Sequence, residues 1–216
     1  MIHLNLDLGT KRELQILCLG CHSDDIEIGC GGTILRLADQ YPSCIFHWAV
    51  FSANGVRETE ARCGAELFAG SRLKTQLLKT FQDGFMPYVG AEVKTVFEKE
   101  LKQLHPDLIF THNGNDAHQD HRLISELTWN TFRDHMILEY EIPKYDGDLG
   151  QPNVFVPLET ELSKKKVSSI MGTFESQAAK RWFQPETFFS VMRLRGMECN
   201  SPSGYAEAFY CRKLAI

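Results

Sequence analysis

The stretch Cys18–Leu35, CLGCHSDDIEIGCGGTIL, decides how the rest of the chain is read. An apolar run that starts at Leu14 stops at His22, two adjacent aspartates follow, and a glycine cluster comes next. LQILCLG (14–20) is apolar throughout instead of alternating, which predicts a strand buried on both faces. GGTILRLADQY (31–41) then predicts a helix, and the same succession repeats downstream. CIFHWAVFS (44–52), TQLLKTF (75–81), DLIFTH (107–112) and MILEYEI (136–142) read as strands. Between them RETEARCGAELFAG (57–70), GAEVKTVFEKELKQLH (90–105) and DHRLISELTWNTFRDH (120–135) carry apolar residues at helical spacing. Strands alternating with helices predict an α/β fold, a mostly parallel sheet with helices on both faces. Beyond Gly147 the pattern loosens. NVFVPL (153–158) predicts a strand, ELSKKKVSSIMGTF (161–174) a helix with its lysines on the solvated face, and YAEAFYCRKL (205–214) a closing strand.

Composition sets the bounds. A length of 216 residues predicts one domain over 1–216, with 43% hydrophobic and 24% charged residues as in an ordinary globular protein. The net charge of -5 gives no reason to expect nucleic acid as a partner. No apolar stretch reaches the roughly 18 residues of a membrane span. MIHLNLDLGTKREL has no basic segment ahead of an apolar one, so no signal peptide is expected. The seven cysteines are scattered. Cys18 and Cys21 form a C-x-x-C, but within an apolar strand they read as small buried hydrophobes, which fits a reducing, cytoplasmic setting.

The chemistry sits at the carboxyl ends of predicted strands, the edge where parallel sheets bind ligands. His22, Asp24 and Asp25 follow the first strand. THNGNDAHQDHR (111–122) follows the fourth, with three histidines and two aspartates. Burying so many polar groups without a metal or substrate would be costly. Imidazole with carboxylate suits a divalent ion of the zinc or iron type, and two histidines with one carboxylate leave positions open for water and substrate. Adjacent aspartates point apart, so one can face the ion while the other serves as general base. A further histidine can stabilise an oxyanion and protonate a leaving amine. These parts make a metal hydrolase. The same donor set also fits a mononuclear iron(II) oxygenase, and a catalytically silent sugar-binding protein is a third reading. The cluster GCGGT (29–33) is not a dinucleotide fingerprint, because its spacing is G-x-G-G and two aspartates precede it.

HSDDIEIGCGGT and DAHQDHR together resemble the two signature motifs of the PIG-L/LmbE-like de-N-acetylases, and RETEA (57–61), ESQ (175–177) and YAEAF (205–209) are weaker matches. The resemblance implies a Rossmann-like fold and a zinc-dependent hydrolase of N-acetyl groups, usually on N-acetylglucosamine-containing substrates. By motif position, His22, Asp25 and His121 resemble the zinc ligands, Asp24 the general base, His118 the oxyanion-stabilising histidine and Asp120 the residue that orients it. Fe2+ is the alternative ion. Arg57 resembles an arginine near the site in some members. Ser23 stands where the family usually has proline, and Ile26 where many members have glutamate, which here comes one place later as Glu27. His112 and Asp116 lie outside the core motif and are expected to support the ligands or contact substrate. The loop EYEIPKYDGDLGQPN (139–153) is expected to line the pocket, with Tyr140 and Tyr145 stacking on a sugar ring. Relatives often form oligomers, so a homo-oligomer is expected.

Overall fold

The computed structural model describes residues 13–214, so the reading of the first twelve residues as lacking a signal peptide lies outside them. Seven strands make one sheet: β1 (Gln15–His22), β2 (Ile45–Ser52), β3 (Leu73–Leu78), β4 (Leu108–His112), β5 (Met136–Tyr140), β6 (Val154–Leu158) and β7 (Tyr205–Tyr210). Their order is β3-β2-β1-β4-β5-β7-β6. The first five are parallel, and β7 runs antiparallel between β5 and β6. Helices α1 (Asp25–Gln40), α2 (Val56–Ala69), α3 (Gly90–Val96), α4 (Gln119–Thr131), α5 (Thr160–Thr173) and α6 (Pro185–Glu198) cover both faces. This is the α/β, mostly parallel, Rossmann-like architecture expected.

Period-two alternation along β1 splits the core in two. Ile16 and Cys18 pack with α1, α2, α5 and α6, while Leu17, Leu19 and Cys21 pack with α3 and α4. Cys18 and Cys21 therefore point to opposite faces, are both buried as free thiols, and form no dithiol pair.

Three local features are not read correctly from the sequence pattern. The glycines of the cluster lie wholly inside α1, which starts at Asp25. They bring the helix close to its neighbours: a Cβ on Gly29 would enter the Tyr140 ring, and one on Gly32 would meet Leu158 and Glu207. Of the three lysines read as solvated, Lys166 is buried. Its Nζ donates to Ile28 O and to Glu207 Oε1, both at 2.6 Å, while Glu207 also accepts the N–H groups of Gly32 (2.8 Å) and Thr33 (2.6 Å). Helical spacing places Lys166 with Ser163, Val167 and Ile170 on the inward face of α5. Helix α6 is not evident from the sequence pattern, since exposed Leu194 and Met197 and buried Arg195 blur its apolar stripe. Among the described residues no helix is long and apolar enough to cross a membrane.

Candidate active site and metal centre

Strand order brings the two polar clusters together. β1 and β4 are hydrogen-bonded neighbours, with Cys18 beside Phe110, although the chain joins β1 to β2 and β4 to β5. The site lies where strand order reverses, the usual ligand crevice of such sheets. Helices α1 and α4 start there, so their positive N-terminal ends favour the carboxylates of Asp24, Asp25 and Asp120.

At the centre His22 Nδ1, His121 Nε2 and Asp25 Oδ2 form a triangle. Its edges are 3.1 Å between the imidazoles, 3.3 Å from His22 to Asp25 and 3.6 Å from His121 to Asp25. Ligands at 2.0–2.1 Å from a tetrahedral zinc stand about 3.3–3.4 Å apart. The donor set therefore fits a divalent ion without rearrangement. The outer nitrogens of both rings meet carboxylates, His22 Nε2 at 2.9 Å from Asp83 Oδ1 and His121 Nδ1 at 3.0 Å from Asp116 Oδ2. Such partners fix the tautomer that turns the other nitrogen toward an ion. Asp116 also meets Lys144 Nζ at 3.0 Å.

The electrostatics are sharply divided. Burial opposes charge on His22, but Asp25 and Asp83 outweigh it and hold the imidazolium up to about 10. His121 is pushed down to about 4 by burial and by His112, against Asp25 and Asp116. Burial also works against a charged Asp25, yet the three surrounding histidines hold its carboxyl well below the usual range. Asp24 behaves oppositely. Burial raises its carboxyl, Arg57 pulls it down, Asp25 adds to the rise, and the net shift is upward. Arg57 Nη2 donates to Asp24 Oδ1 at 2.6 Å, which brings the RETEA arginine into the site.

Two further weak sequence matches acquire contacts. Glu60 of RETEA accepts from the N–H (2.8 Å) and hydroxyl (2.6 Å) of Ser176 in ESQ, and so fixes Gln177 at the cleft. Glu207 of YAEAF grips α1 through Gly32, Thr33 and Lys166.

The cleft over the triangle has a volume of about 470 Å³. His118, Arg57 and Tyr145 line it, together with Trp182 and Lys180. His118 caps α4, and its Nδ1 accepts the Asp120 N–H at 3.3 Å. That leaves Nε2 to carry the proton toward the cleft.

Of the two roles expected of His112, only one fits: it is fully buried beneath the site, where its Nε2 accepts the Cys21 N–H at 2.9 Å and lies 3.2 Å from Asp25 Oδ2, so it supports that carboxylate and substrate does not reach it. Two further expectations fail on geometry. Tyr140 is also buried and donates to Leu19 O at 2.5 Å, so no sugar can stack on it. The Asp120 carboxylate makes no hydrogen bond to the His118 ring. It accepts instead from the N–H groups of Gly84 (2.6 Å) and Met86 (3.2 Å). Sequence reasoning misses Asp83 altogether; its signal is an acidic residue just past a predicted strand end, as at Asp24 and Asp116.

Comparison with known proteins shows the family and the fold. The sequence model of the PIG-L family, described as GlcNAc-PI de-N-acetylase, matches residues 17–132, more than half of the chain and both polar clusters. The chain belongs to that family. Three solved structures similar to it share the fold. The conserved protein TT1542 from Thermus thermophilus superposes with a TM-score of 0.73 at 19% identity, over 94% of this chain and 96% of that one. The N,N'-diacetylchitobiose deacetylase from Pyrococcus horikoshii gives 0.70 at 21%, over 91% and 83%. GalB, the 4-carboxy-2-hydroxymuconate hydratase from Pseudomonas putida, gives 0.68 at 17%, over 94% and 98%. A deacetylase and a hydratase on one scaffold leave the chemistry to be argued from side chains.

Proposed function

We propose that the protein is a metal-dependent de-N-acetylase that hydrolyses the N-acetyl group of an amino sugar or its conjugate, within a single catalytic domain over 1–216. The observation that carries this reading is the donor triangle of His22, Asp25 and His121 with a separate buried carboxylate, Asp24, beside it. Membership in a family described by de-N-acetylation supports it. Zinc is the proposed ion, with Fe2+ as the other candidate for the same donors.

A divalent ion in the triangle supplies Lewis acidity, making water a better acid and an amide carbonyl a better electrophile. Asp24 takes the proton from the attacking water, a task suited by its raised carboxyl pKa. Arg57 limits that rise by favouring the charged form of Asp24. The water oxygen bonds to the acyl carbon, and the His118 Nε2–H donates to the developing oxyanion. The C–N bond then breaks, the amine leaves with a proton delivered from the acid formed at Asp24 or from His118, and acetate is the second product. Tyr145, 73% exposed at the rim, and Trp182 offer flat faces to a sugar ring. The alternatives of an iron oxygenase and a silent binding protein gain no support from any contact in the site. A cytoplasmic homo-oligomer with no nucleic-acid partner and no membrane span completes the proposal.

The test is acetate release across a panel of N-acetylated sugars and sugar conjugates, comparing wild type with Asp24→Asn at equal metal content. Loss of the base should lower kcat by about 10²–10⁴ while the ion is retained. Unchanged turnover would remove Asp24 from the role.

A further inference from the structure

We infer that Asp83, in the loop after β3, is a positioning residue for the ion, holding the His22 ring in its ligating orientation, and that Asp120 acts by anchoring that loop. The inference rests on the metal reading of the site. His22 presents Nδ1 to the donor triangle and Nε2 to Asp83 Oδ1, at 2.9 Å. With the Nε2 proton held by Asp83, the proton that an ion displaces is the one on Nδ1, whose lone pair then faces the triangle. No other carboxylate takes that place among the described residues: Asp120 Oδ2 stands 3.9 Å from His22 Nε2, beyond hydrogen-bond reach.

The side chain of Asp83 is 70% exposed, so packing does not hold it. Among the described residues its ionic neighbours are His22 and, at 4.0 Å, His118 Nε2. The backbone carries it instead. Asp120 accepts the N–H groups of Gly84 and Met86, the Gln119 amide donates to Gly84 O at 2.9 Å, and Met86 is buried. Gly84 has φ +79°, a left-handed conformation that glycine adopts without strain. The first turn of α4 thus fixes the β3 loop, and the loop fixes a ligand on β1. The two imidazoles of the triangle are then matched: His121 has Asp116, five residues before it in the chain, and His22 has Asp83 from a segment that no motif marks.

The test measures zinc affinity by competition with a chromophoric chelator for wild type, Asp83→Ala and Asp83→Asn, with thermal unfolding of each metal-free protein as the control. Asp83→Ala should weaken zinc by roughly 10–100-fold, the usual consequence of removing such a partner. Asp83→Asn keeps an acceptor oxygen and should weaken it less, with both unfolding midpoints near that of wild type. Zinc affinity within about twofold of wild type in Asp83→Ala would overturn the inference; if KM for the acetylated substrate then rose at constant kcat, Asp83 would be a substrate contact. A wild type that binds no zinc would sink the metal reading itself, and this inference with it.

Discussion

Helix α1 carries a buried charge cluster at each of two places, and they are built on opposite principles. Midway along it, Glu207 and Lys166 satisfy each other and the backbone around them. The carboxylate accepts Gly32 N–H, Thr33 N–H and the ammonium, and the ammonium also donates to Ile28 O. At its start, Asp25 meets His22, His121 and His112 with donor atoms turned toward one another and one imidazolium held up to about 10. The first cluster is complete with protein atoms alone. The second also has protein partners, with His22 N–H donating to Asp25 Oδ2 at 2.6 Å and the His22 and His121 imidazoles 3.1 Å apart, but it sets two imidazole nitrogens and a carboxylate oxygen around a point that a cation would occupy. Burial and charge alone do not tell structure from function; what separates the two clusters is the donor chemistry each brings together.

The comparison breaks most visibly at the completed cluster. Lys166→Ala leaves Glu207 charged and buried, and should lower the unfolding free energy by about 3–5 kcal/mol in urea melts, while zinc affinity of the folded protein stays within a few-fold. A loss below about 1 kcal/mol would mean that the pair is not what holds α1. A smaller effect sharpens the other end. Arg57 favours the charged form of Asp24, so Arg57→Ala removes a downward pull and the Asp24 pKa rises further. The acidic limb of the kcat/KM profile should then move to higher pH. A limb that stays or moves down would show that another group controls it.

Much of this is legible in the sequence because the parallel strands are long apolar runs and the candidate ligands lie at or just beyond their carboxyl ends. His22, Asp25 and His121 can be picked out before any coordinates, and the structure gathers them within one triangle. Strand pairing is not legible, since the entry of β7 between β5 and β6 is a tertiary choice that no local pattern encodes. Lys166 is easily misread because two lysines precede it in the chain, although its helical phase matches Val167 and Ile170. His112 looks like a site residue by composition, and it does touch Asp25, but from below. Sequence proximity assigns Asp120 to His118, whereas its carboxylate reaches across to a loop 36 residues away.

The central claim is that the triangle of His22, Asp25 and His121 holds one ion on which turnover depends. The direct measurement is acetate release by chelator-stripped protein titrated with zinc, with bound metal counted in the same samples. Release should be lost on stripping and return in proportion to added zinc up to one equivalent per chain. Turnover that survives complete removal of metal would contradict the claim.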